Sequence, residues 1–567
     1  MNHSRWNLLP PVPGKHLAKH PSFPPLIVQI LYNRGLTEPS QLQSFITGDK
    51  SLANDPFLLP DMHQAVARIY QALLSDEKIA IYGDFDADGI TATALLVQGL
   101  SALGGKAIPY IPHRLTEGYG LRKAALENLH QQGISLVITA DCGITSLPEV
   151  KKARKMGLNI IITDHHTPLP EIPPAIAIVN PKLTNSNYPF SELTGVGVAL
   201  KLLQALFQSI GKETQLDKLM DLVALGTIAD MSPLLGENRY LVKEGLKLIN
   251  TTPRLGIKEM IIQAGLNLGS IDAESVSWTI APRLNAAGRL EHAMTSYKLL
   301  MTDSPQEAYQ LATWLDQKNT ERQKLTATTL AQAREQVLAQ GISPLLVASD
   351  KDYLVGIVGL VASRLSEEFY RPAIVIKTGE RVSSGSCRSI PEFNIIAALN
   401  QCSGLLSQFG GHSQAAGFTL PTKNLARLQA TLLQLATTQL AGVDLRPHLD
   451  IDAEVTLPDL GGDTFRITQQ LAPFGRGNPV PTFLSRKVEV INCRTMGNNG
   501  GHLRLKLRQG GCIWDGVGFR LGNYLAEVAS SLDIVYNLEI DKWRGEERLR
   551  LNILDFAPTT QTEPGNH

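Results

Sequence analysis

The chain has 567 residues, 43% of them apolar, and its 53 basic and 53 acidic side chains give a formal net charge of zero. This length predicts about three or four domains with a large core. The neutral charge excludes long-range attraction of nucleic acid by the whole molecule, so such a partner needs local basic patches. The five cysteines form no C-x-x-C pair, which argues against a structural zinc and favours a reducing, cytoplasmic setting. No apolar run approaches the roughly 18 residues of a membrane helix, so we expect no membrane partner.

The first part of the chain, residues 1–70, is predicted to be a helical preamble. Short segments with helical spacing, residues 22–36 and 41–47, alternate there with proline and glycine. These segments carry no recognisable chemistry.

Three carboxylates follow the first strongly predicted strand. Residues 78–82 are an apolar run typical of a buried strand, and residues 90–103 have helical spacing that ends at a Gly-Gly pair. Between them, Asp84, Asp86 and Asp88 occupy alternate positions, closed by Gly89. Because neighbouring carboxylates repel one another unless a cation neutralises them, this turn predicts a Mg²⁺ or Mn²⁺ site.

The same turn has two other interpretations, a solvated acidic loop and a calcium EF-hand. Asp-Gly turns are common, so the turn alone leaves the first interpretation open. An EF-hand needs Glu at the twelfth position of its loop and a helix on each side. Here that position is Leu95 and the preceding segment is a strand, which excludes the EF-hand.

The segments that follow alternate between strands and helices. Strands are predicted at residues 107–111, 135–140, 158–163 and 175–179, and helices at residues 122–132 and 147–156. This alternation predicts an α/β fold with a parallel, doubly wound sheet. Asp141 and the run Asp164-His165-His166 come just after predicted strands, so they share one sheet edge with the first acidic turn. Asp230, which closes a predicted helix at residues 222–229, is a further candidate.

Each of these candidates has an ordinary structural explanation when it is taken alone. An aspartate after a strand, such as Asp141, is more often a turn or cap residue than a ligand. Asp230 could be a solvated helix end, and the His-His pair could be packing. Their common position at one sheet edge nevertheless favours a metal site, and a set of carboxylates with few imidazoles suits Mn²⁺ or Mg²⁺ better than zinc. The ligands suffice for two ions, with a carboxylate such as Asp141 bridging them.

The order of these motifs resembles that of the DHH phosphoesterases. The matching stretches are Asp84 to Gly89, Asp141, Asp164-His165-His166, residues 195–199 and Asp230. Within that superfamily the chain is most similar to the RecJ branch, and the resemblance covers nearly the whole sequence. Some relatives have a His four residues before the second aspartate of the first motif. Tyr82 stands there in this chain and is not counted as a ligand.

Two further stretches resemble RecJ rather than smaller relatives. One is the loop at residues 112–120, which contains Arg114 and Tyr119. The other is residues 282–289, which contain Asn285 and Arg289. The second stretch could instead be a loop of small residues whose arginines cap a helix, and the sequence leaves both interpretations open.

A long polar helix at residues 304–340 is predicted to connect the catalytic core to a second α/β unit. That unit has predicted strands at residues 345–348 and 373–376, a helix at 357–369, and a small-residue segment at 383–389. Small residues with an arginine on a strand can bind phosphate. The turn at residues 410–417 could be a close-approach turn or a glycine-rich helix start. The resemblance implies that Ser386, Arg388 and His412 face the cleft, with Arg114 beside Ser386 and Arg388 at a terminal phosphate.

Short strands and turns fill residues 444–558, which the resemblance identifies as an OB-like barrel with a loop at 474–479. Residues 502–508 alternate strictly, so that Arg504, Lys506 and Arg508 share an outer face. Residues 548–551 repeat this pattern, and Trp543 lies between Lys542 and Arg544. A basic strand face with an aromatic suits single-stranded nucleic acid, although it could also serve only solubility. The tail, residues 559–567, is expected to be disordered.

The resemblance implies a single-stranded-DNA-specific exonuclease that works 5′→3′ by two-metal catalysis, releases 5′-mononucleotides and acts in DNA repair and recombination. It implies Mn²⁺ or Mg²⁺ as cofactors, single-strand binding protein and a RecQ-type helicase as partners, and a monomer. His166 and Asp141 are the expected catalytic residues. The expected metal ligands are Asp84, Asp86, Asp88, Asp141, His165 and Asp230. The expected substrate-binding residues are Arg114, Tyr119, Asn285, Arg289, Ser386, Arg388, His412, Arg504, Lys506 and Arg508.

The expected domains are a preamble at residues 1–70 and a DHH catalytic domain at 71–303, followed by a connecting helix at 304–340 and a DHH-associated domain at 341–443. An OB-like domain at 444–558 and a tail at 559–567 complete the chain. Two other functions remain as alternatives. One is a DHH phosphodiesterase on short oligoribonucleotides or cyclic dinucleotides, although such relatives generally lack the C-terminal barrel. The other is a non-catalytic single-strand-binding scaffold, although such proteins tend to lose the metal carboxylates.

Overall fold

The structure is a computed structural model that describes residues 3–114, 116–497, 499–543 and 546–559, with the backbone alone at 542–543 and 546–547. Contacts divide the chain into two compact units. The larger unit comprises Gly48–Val443 with Gly475–Gly477, and the smaller comprises Met1–Thr47, Asp444–Phe474 and Asn478–His567. The side chains of Lys542, Trp543 and Arg544 and the tail beyond Thr559 lie outside the described residues.

The first sheet of the larger unit has five parallel strands, as the sequence predicts. Their spatial order is Lys106–Tyr110, Lys78–Gly83, Ile134–Ala140, Asn159–Thr163 and Ala177–Val179. Alternate residues of these strands enter two separate apolar cores. Ile79 and Ile81 pack on one face, while Ala80 and Tyr82 pack on the other. The sheet is therefore covered on both faces, which confirms the doubly wound fold.

The strand order of this sheet determines where a ligand can bind. Of the strands in this sheet, Lys78–Gly83 comes first in the chain, and it is flanked by the second on one side and the third on the other. The chain segments that follow Lys78–Gly83 and Ile134–Ala140 lead to opposite sides of the sheet. They leave a crevice beyond the carboxyl ends of these two strands.

Helices surround this sheet and continue into the second half of the larger unit. Ala87–Ala102 and Met220–Ala229 are buried on nearly all sides, because their sequences are apolar all round. In the larger unit, the helices of eight residues or more are Met62–Leu74, Ala87–Ala102, Lys123–Gln131, Leu147–Lys155, Gly195–Gln208, Met220–Ala229, Gly236–Thr251, Leu255–Gln263, Ala281–Leu290, Met294–Met301, Pro305–Gln340, Val355–Phe369 and Leu425–Gln439.

The connecting helix Pro305–Gln340 is confirmed, and the Ser304 hydroxyl accepts a hydrogen bond from the Glu307 N–H at its start. It leads to a mixed sheet whose strand order is Gln408–His412, Ala415–Pro421, Val382–Arg388, Ala373–Lys377 and Leu346–Asp350. Two alternatives left open by the sequence are wrong. Residues 282–289 lie in the helix Ala281–Leu290 rather than in a loop, and residues 410–417 form a β-hairpin rather than a helix start.

The smaller unit contains a closed five-stranded barrel. Phe483–Met496, His502–Gln509, Cys512–Gly518, Glu546–Pro558 and Ser531–Trp543 pair in that order, and the last strand pairs back with the first. This closure confirms the predicted OB-like barrel. Residues 5–8 differ from the predicted helical preamble, because Arg5–Leu8 is a strand parallel to His448–Ile451. Short helices at Gly14–Leu17, Pro25–Asn33, Pro39–Thr47 and Thr464–Gln469 complete this unit.

Among the described residues, no helix combines the length and apolar character that crossing a bilayer requires.

Candidate active site

Three predicted site residues directly follow three adjacent strands of the parallel sheet. The backbone ladder continues through them, because Asp84 N–H donates to Ala140 O (3.2 Å) and Asp141 N–H donates to Thr163 O (3.1 Å). Asp164 N–H in turn donates to Val179 O at 3.2 Å. These contacts hold the three aspartates side by side along the crevice.

The other two acids of the first motif also organise the backbone. Asp86 is the N-cap of Ala87–Ala102, and its Oδ1 accepts from the N–H groups of Asp88 and Gly89 at 3.0 and 3.1 Å. The Asp88 carboxylate accepts from the N–H groups of Gly195 and Val196 at 2.7 and 2.8 Å, at the start of the helix Gly195–Gln208. The glycine-rich motif at residues 195–199 therefore serves to present amide donors to Asp88.

Several polar atoms in the crevice lack a hydrogen-bond partner among the described residues. They are Asp84 Oδ1, Asp141 Oδ1 and His165 Nε2, and all three residues are buried. His165 Nε2 lies 3.1 Å from Asp141 Oδ1 and 3.9 Å from Asp88 Oδ2. Buried polar atoms normally have partners, so this arrangement fits atoms that share a cation.

The potential ligand atoms form three overlapping groups, each with its atoms within 4.8 Å of one another. The groups are Asp84 with Asp86 and Asp141, Asp141 with His165 and His166, and Asp88 with His165 and Asp230. Oxygen ligands predominate and no cysteine takes part, which suits Mn²⁺ or Mg²⁺. Asp141 belongs to two groups, as a bridging carboxylate would.

The electrostatics of the cluster also favour a cation. Burial, followed by the charge of Asp86, raises the pKa of Asp84 to about 8. Burial and the neighbouring carboxylates likewise raise the pKa values of Asp86, Asp88 and Asp141. These shifts show that the anionic cluster is unfavourable by itself, which is the environment that a divalent cation stabilises.

The two histidines of the Asp164-His165-His166 run differ in charge. Burial lowers the pKa of His165 to about 4, so its imidazole is neutral and able to ligate a metal. Burial alone would also lower the pKa of His166, but Asp164, through its charge and a 2.7 Å hydrogen bond to Nδ1, raises it to about 9. Asp164 belongs to none of the groups of potential metal ligands, and its carboxylate also accepts from the N–H groups of Ile144, His165 and His166.

Two further predicted residues surround His166. The Tyr119 hydroxyl lies 3.1 Å from His166 Nδ1. The His412 ring stacks nearly parallel to the His166 ring, with centroids 6.4 Å apart and an interplanar angle of 8°. His412 reaches this position from the exposed hairpin strand Gln408–His412, so the second sheet of the larger unit faces the crevice.

The predicted phosphate-binding residues come together on the strand Val382–Arg388. Arg388 Nη1 donates to Ser386 Oγ at 3.3 Å and to Cys387 O at 2.8 Å. Burial lowers the pKa of Arg388, Cys387 opposes this shift, and the charge of Arg114 adds a smaller lowering effect. Gly359 closes the pocket, since a Cβ atom there would lie 3.0 Å from Ser386 Oγ and 3.4 Å from Arg388 Nη2. Ser386 and Arg388 thus contact each other on this strand, and Arg114 is near enough for its charge to act on Arg388.

Asn285 and Arg289, predicted to bind substrate, contact the protein itself. Asn285 Oδ1 accepts from Ala87 N–H at 2.9 Å and so supports the first acidic motif. Arg289 Nη1 donates to Gly356 O at 3.2 Å, while its Nε has no partner among the described residues. Burial and the charges of Arg114, Arg322 and Arg388 lower the pKa of Arg289 to about 9. Arg289 therefore adds positive charge that an anion can stabilise, and its substrate role remains a prediction.

Sequence reasoning missed Phe85 and Gly359. Phe85 packs its ring against the Arg114 guanidinium, with the Cζ atom 4.7 Å from the ring centroid. The sequence gives no signal for this contact, because an apolar residue between two aspartates shows only that the turn has a buried side.

The barrel of the smaller unit has the predicted alternation. Leu503, Leu505 and Leu507 are buried, while Arg504, Lys506 and Arg508 are exposed. Arg508 makes a bidentate ion pair with Glu489, which compensates its charge. Arg504 instead faces another exposed arginine, Arg494, directly across the strand pair. Neither arginine has an ion pair among the described residues, so the basic face extends to Arg494, which the sequence analysis did not single out.

Three family models match successive parts of the chain. The DHH family N-terminal domain matches residues 78–227, the DHHA1 domain matches residues 342–438, and the RecJ OB domain matches residues 451–555. The first match contains the ligand residues of the crevice apart from Asp230, the second contains Ser386 and Arg388, and the third contains most of the barrel.

Whole-chain relatives agree with these matches. The single-stranded-DNA-specific exonuclease RecJ of Bacillus subtilis is 38% identical over 560 residues, which are 98% of this chain and 71% of that protein. The crystal structure of Thermus thermophilus RecJ with Mn²⁺ is similar with a TM-score of 0.85 at 30% identity, over 99% of this chain and 81% of that one. The same protein with Mg²⁺ gives a TM-score of 0.80 at 29% identity, over 98% and 79%. This chain therefore belongs to the RecJ family of DHH proteins.

Proposed function

We propose that this protein is a metal-dependent exonuclease that hydrolyses single-stranded DNA in the 5′→3′ direction and releases 5′-mononucleotides. The observation that carries the proposal is the crevice, where three overlapping groups of metal-ligating atoms lie on the same side of the sheet as an arginine pocket. The named specificity of the RecJ relatives for single-stranded DNA supports the substrate class.

Seven side chains supply the ligand atoms of the crevice, and six of them would hold the ions: Asp84, Asp86, Asp88, Asp141, His165 and Asp230. When bound, Mn²⁺ or Mg²⁺ supplies Lewis acidity that lowers the pKa of a water and stabilises charge on phosphate oxygens. Asp141 orients both halves of the site, because its carboxylate belongs to two of the three groups.

His166 is the seventh side chain and acts on the substrate. Asp164 holds its Nδ1 at 2.7 Å, which fixes the orientation of the ring and leaves Nε2 as the nitrogen that donates to a phosphate oxygen. His412, stacked on this ring, limits its movement and narrows the approach from the second sheet.

Arg114, Ser386 and Arg388 would bind the 5′-terminal phosphate. A terminal phosphate carries more negative charge than an internal phosphodiester, so two guanidinium groups and a hydroxyl distinguish a 5′ end through charge-assisted hydrogen bonds. If this pocket lies one nucleotide from the metal ligands, each hydrolysis releases one 5′-mononucleotide, and this gives the direction of degradation.

The test is a degradation assay on 5′-phosphorylated oligonucleotides labelled at the 3′ end. Single-stranded DNA with Mn²⁺ should shorten in one-nucleotide steps from the 5′ end, and EDTA should stop the reaction. The same sequence as RNA and as blunt duplex DNA provides the controls. Faster hydrolysis of short RNA would favour the oligoribonucleotide alternative, and binding of DNA without hydrolysis in any divalent metal would favour the scaffold alternative.

The expected partners, single-strand binding protein and a RecQ-type helicase, and the expected cytoplasmic, monomeric state remain part of this proposal. They rest on the family resemblance, and a pull-down with each purified partner would test the first two.

A further inference from the structure

We propose that Phe85 is a positioning residue whose aromatic ring orients Arg114 for the 5′-terminal phosphate, so that the acidic turn and the end-sensing pocket are built as one unit. This inference rests on the proposed function of Arg114, Ser386 and Arg388 as the end pocket. It assigns a role to a residue that is neither an expected metal ligand nor an expected substrate contact.

The contact between the two residues is a cation–π interaction. The Arg114 Cζ atom lies 4.7 Å from the centroid of the Phe85 ring, within the usual range of about 6 Å for such contacts. Phe85 is 8% exposed and Arg114 is half-buried. The guanidinium therefore lies over the Phe85 ring, which shields that side of it from water.

The ring itself is held by the backbone of its own turn. Ala87 N–H, two residues after Phe85, donates to Asn285 Oδ1 at 2.9 Å. Phe85 O packs against Gly288, where a Cβ atom would lie only 2.7 Å from that oxygen. Both contacts come from the helix Ala281–Leu290, so the turn cannot shift toward this helix and the ring provides a fixed support.

An aromatic support suits this position better than a carboxylate would. A carboxylate would occupy the N–H donors of Arg114 and neutralise its charge, whereas an aromatic ring attracts the guanidinium without accepting conventional hydrogen bonds from it. Its five N–H groups, which lie in the guanidinium plane, then stay available for the phosphate. Among the described residues no carboxylate lies within ion-pair distance of Arg114, although the charges of Asp84 and Asp86 act on it. Phe85 thus holds the cation beside the acidic cluster while leaving its donors to the substrate.

The experiment measures how strongly the enzyme prefers a 5′-phosphate. kcat/KM is determined with Mn²⁺ on matched single strands bearing a 5′-phosphate or a 5′-hydroxyl, for wild type, Phe85→Leu, Phe85→Tyr, Arg114→Ala and the double variant Phe85→Leu/Arg114→Ala. We expect Phe85→Leu to lower the 5′-phosphate/5′-hydroxyl ratio about three- to tenfold, the range of a partly buried cation–π contact. Phe85→Tyr, which retains a ring, should retain the wild-type ratio.

The double variant separates positioning from a general structural role. If Phe85 acts through Arg114, the double variant should have the same ratio as Arg114→Ala alone, because nothing remains for the ring to position. If Phe85→Leu instead disturbed the acidic turn, hydrolysis of both substrates would slow equally and the ratio would not change. That result would overturn the inference. If Phe85→Leu does not fold, as judged by its thermal melt, Phe85→Met replaces it, since methionine fills similar space without a ring.

The outcomes also separate this inference from the proposed end pocket. A ratio that changes in Arg114→Ala but not in Phe85→Leu overturns the role of Phe85 alone. A ratio unchanged in Arg114→Ala overturns the assignment of Arg114 to the end pocket, and the role of Phe85 falls with it.

Discussion

His165 Nε2 and Asp141 Oδ1 lie 3.1 Å apart, yet neither atom has a hydrogen-bond partner among the described residues. Two buried atoms with lone pairs that approach each other in this way are both suited to a third, positively charged partner. Asp141 is also the one residue shared between the group with Asp84 and Asp86 and the group with His165 and His166. Its carboxylate is therefore the expected link between these two groups.

Asp141→Asn should reduce hydrolysis at least about 100-fold, because an amide supplies only one neutral oxygen where the site needs a shared carboxylate. Asparagine is chosen because Asp141 has a positive φ of 65°, which Asn tolerates better than Ala does. The measurement is the initial rate at saturating Mn²⁺, with single-strand binding and the thermal melt as controls. Turnover within tenfold of wild type would rule out the bridging role.

Metal binding should be detectable without any substrate. Because burial and mutual repulsion raise the pKa values of Asp84, Asp86, Asp88 and Asp141, a divalent cation should stabilise the folded state. At 100 times its Kd, one bound ion adds about 2.7 kcal/mol to the free energy of unfolding. Calorimetry should show a higher Tm with Mn²⁺ than with EDTA, and no such difference in Asp141→Asn. An equal rise of Tm in both proteins would place the ion elsewhere.

The sequence predicts this crevice well, because its geometry follows from topology. Residues that come just after parallel strands meet at one sheet edge, and Asp84, Asp141 and Asp164 do so. The same reasoning cannot find the support for Arg114, since the contact with Phe85 depends on the path of a loop between two elements. The helix Ala281–Leu290 escaped prediction because its small residues and glycine have weak helix propensity. The strand Arg5–Leu8 escaped because four residues carry little periodicity and the partner strand begins only at His448.

Arg388→Ala should lower activity far more on 5′-phosphorylated than on 5′-hydroxyl strands. The lost charge-assisted hydrogen bonds correspond to about 1.5–3 kcal/mol, or roughly 10- to 150-fold in kcat/KM. Arg388→Lys is the matched control, because lysine keeps the charge but loses the bidentate geometry of the guanidinium. Its preference for 5′-phosphate should lie between those of wild type and Arg388→Ala. Equal losses on both substrates would mean that Arg388 supports the fold or general binding.

Gly359→Ala should impair the same pocket without destabilising its helix. The added methyl group would lie 3.0 Å from Ser386 Oγ and 3.4 Å from Arg388 Nη2, so these side chains must move by a few tenths of an ångström. Alanine stabilises a helix interior by about 1 kcal/mol relative to glycine, so Val355–Phe369 itself should not weaken. We expect a severalfold loss of preference for 5′-phosphate at unchanged or higher Tm. Gly404→Ala, where a Cβ atom would have nothing within 4 Å, is the control that should leave the preference intact.

The barrel should bind the DNA backbone through the basic residues that form no ion pair in the described part of the chain. Arg494 and Arg504 lie directly opposite each other on antiparallel strands, and both are exposed. Like charges in that position destabilise a strand pair, so a bound phosphate that relieves the repulsion is the reason to expect function rather than solubility. Lys506, two residues after Arg504 on the same outer face, continues the basic stripe, although the exposed Asp515 lies opposite it on the next strand.

Replacing Arg494, Arg504 and Lys506 together by Ala should weaken binding of long single strands and lower the slope of log K against log salt. Each lost phosphate contact changes that slope by about 0.7, so three contacts change it by roughly 2. Arg508→Ala is the matched control, because Arg508 is already compensated by its bidentate pair with Glu489 and should contribute little to the slope. Hydrolysis of very short strands should survive in both variants, since the crevice and the arginine pocket remain unchanged. A triple variant with the wild-type slope would show that this strand face serves only solubility. Its Tm should then be higher than that of wild type, because the repulsion between Arg494 and Arg504 is gone.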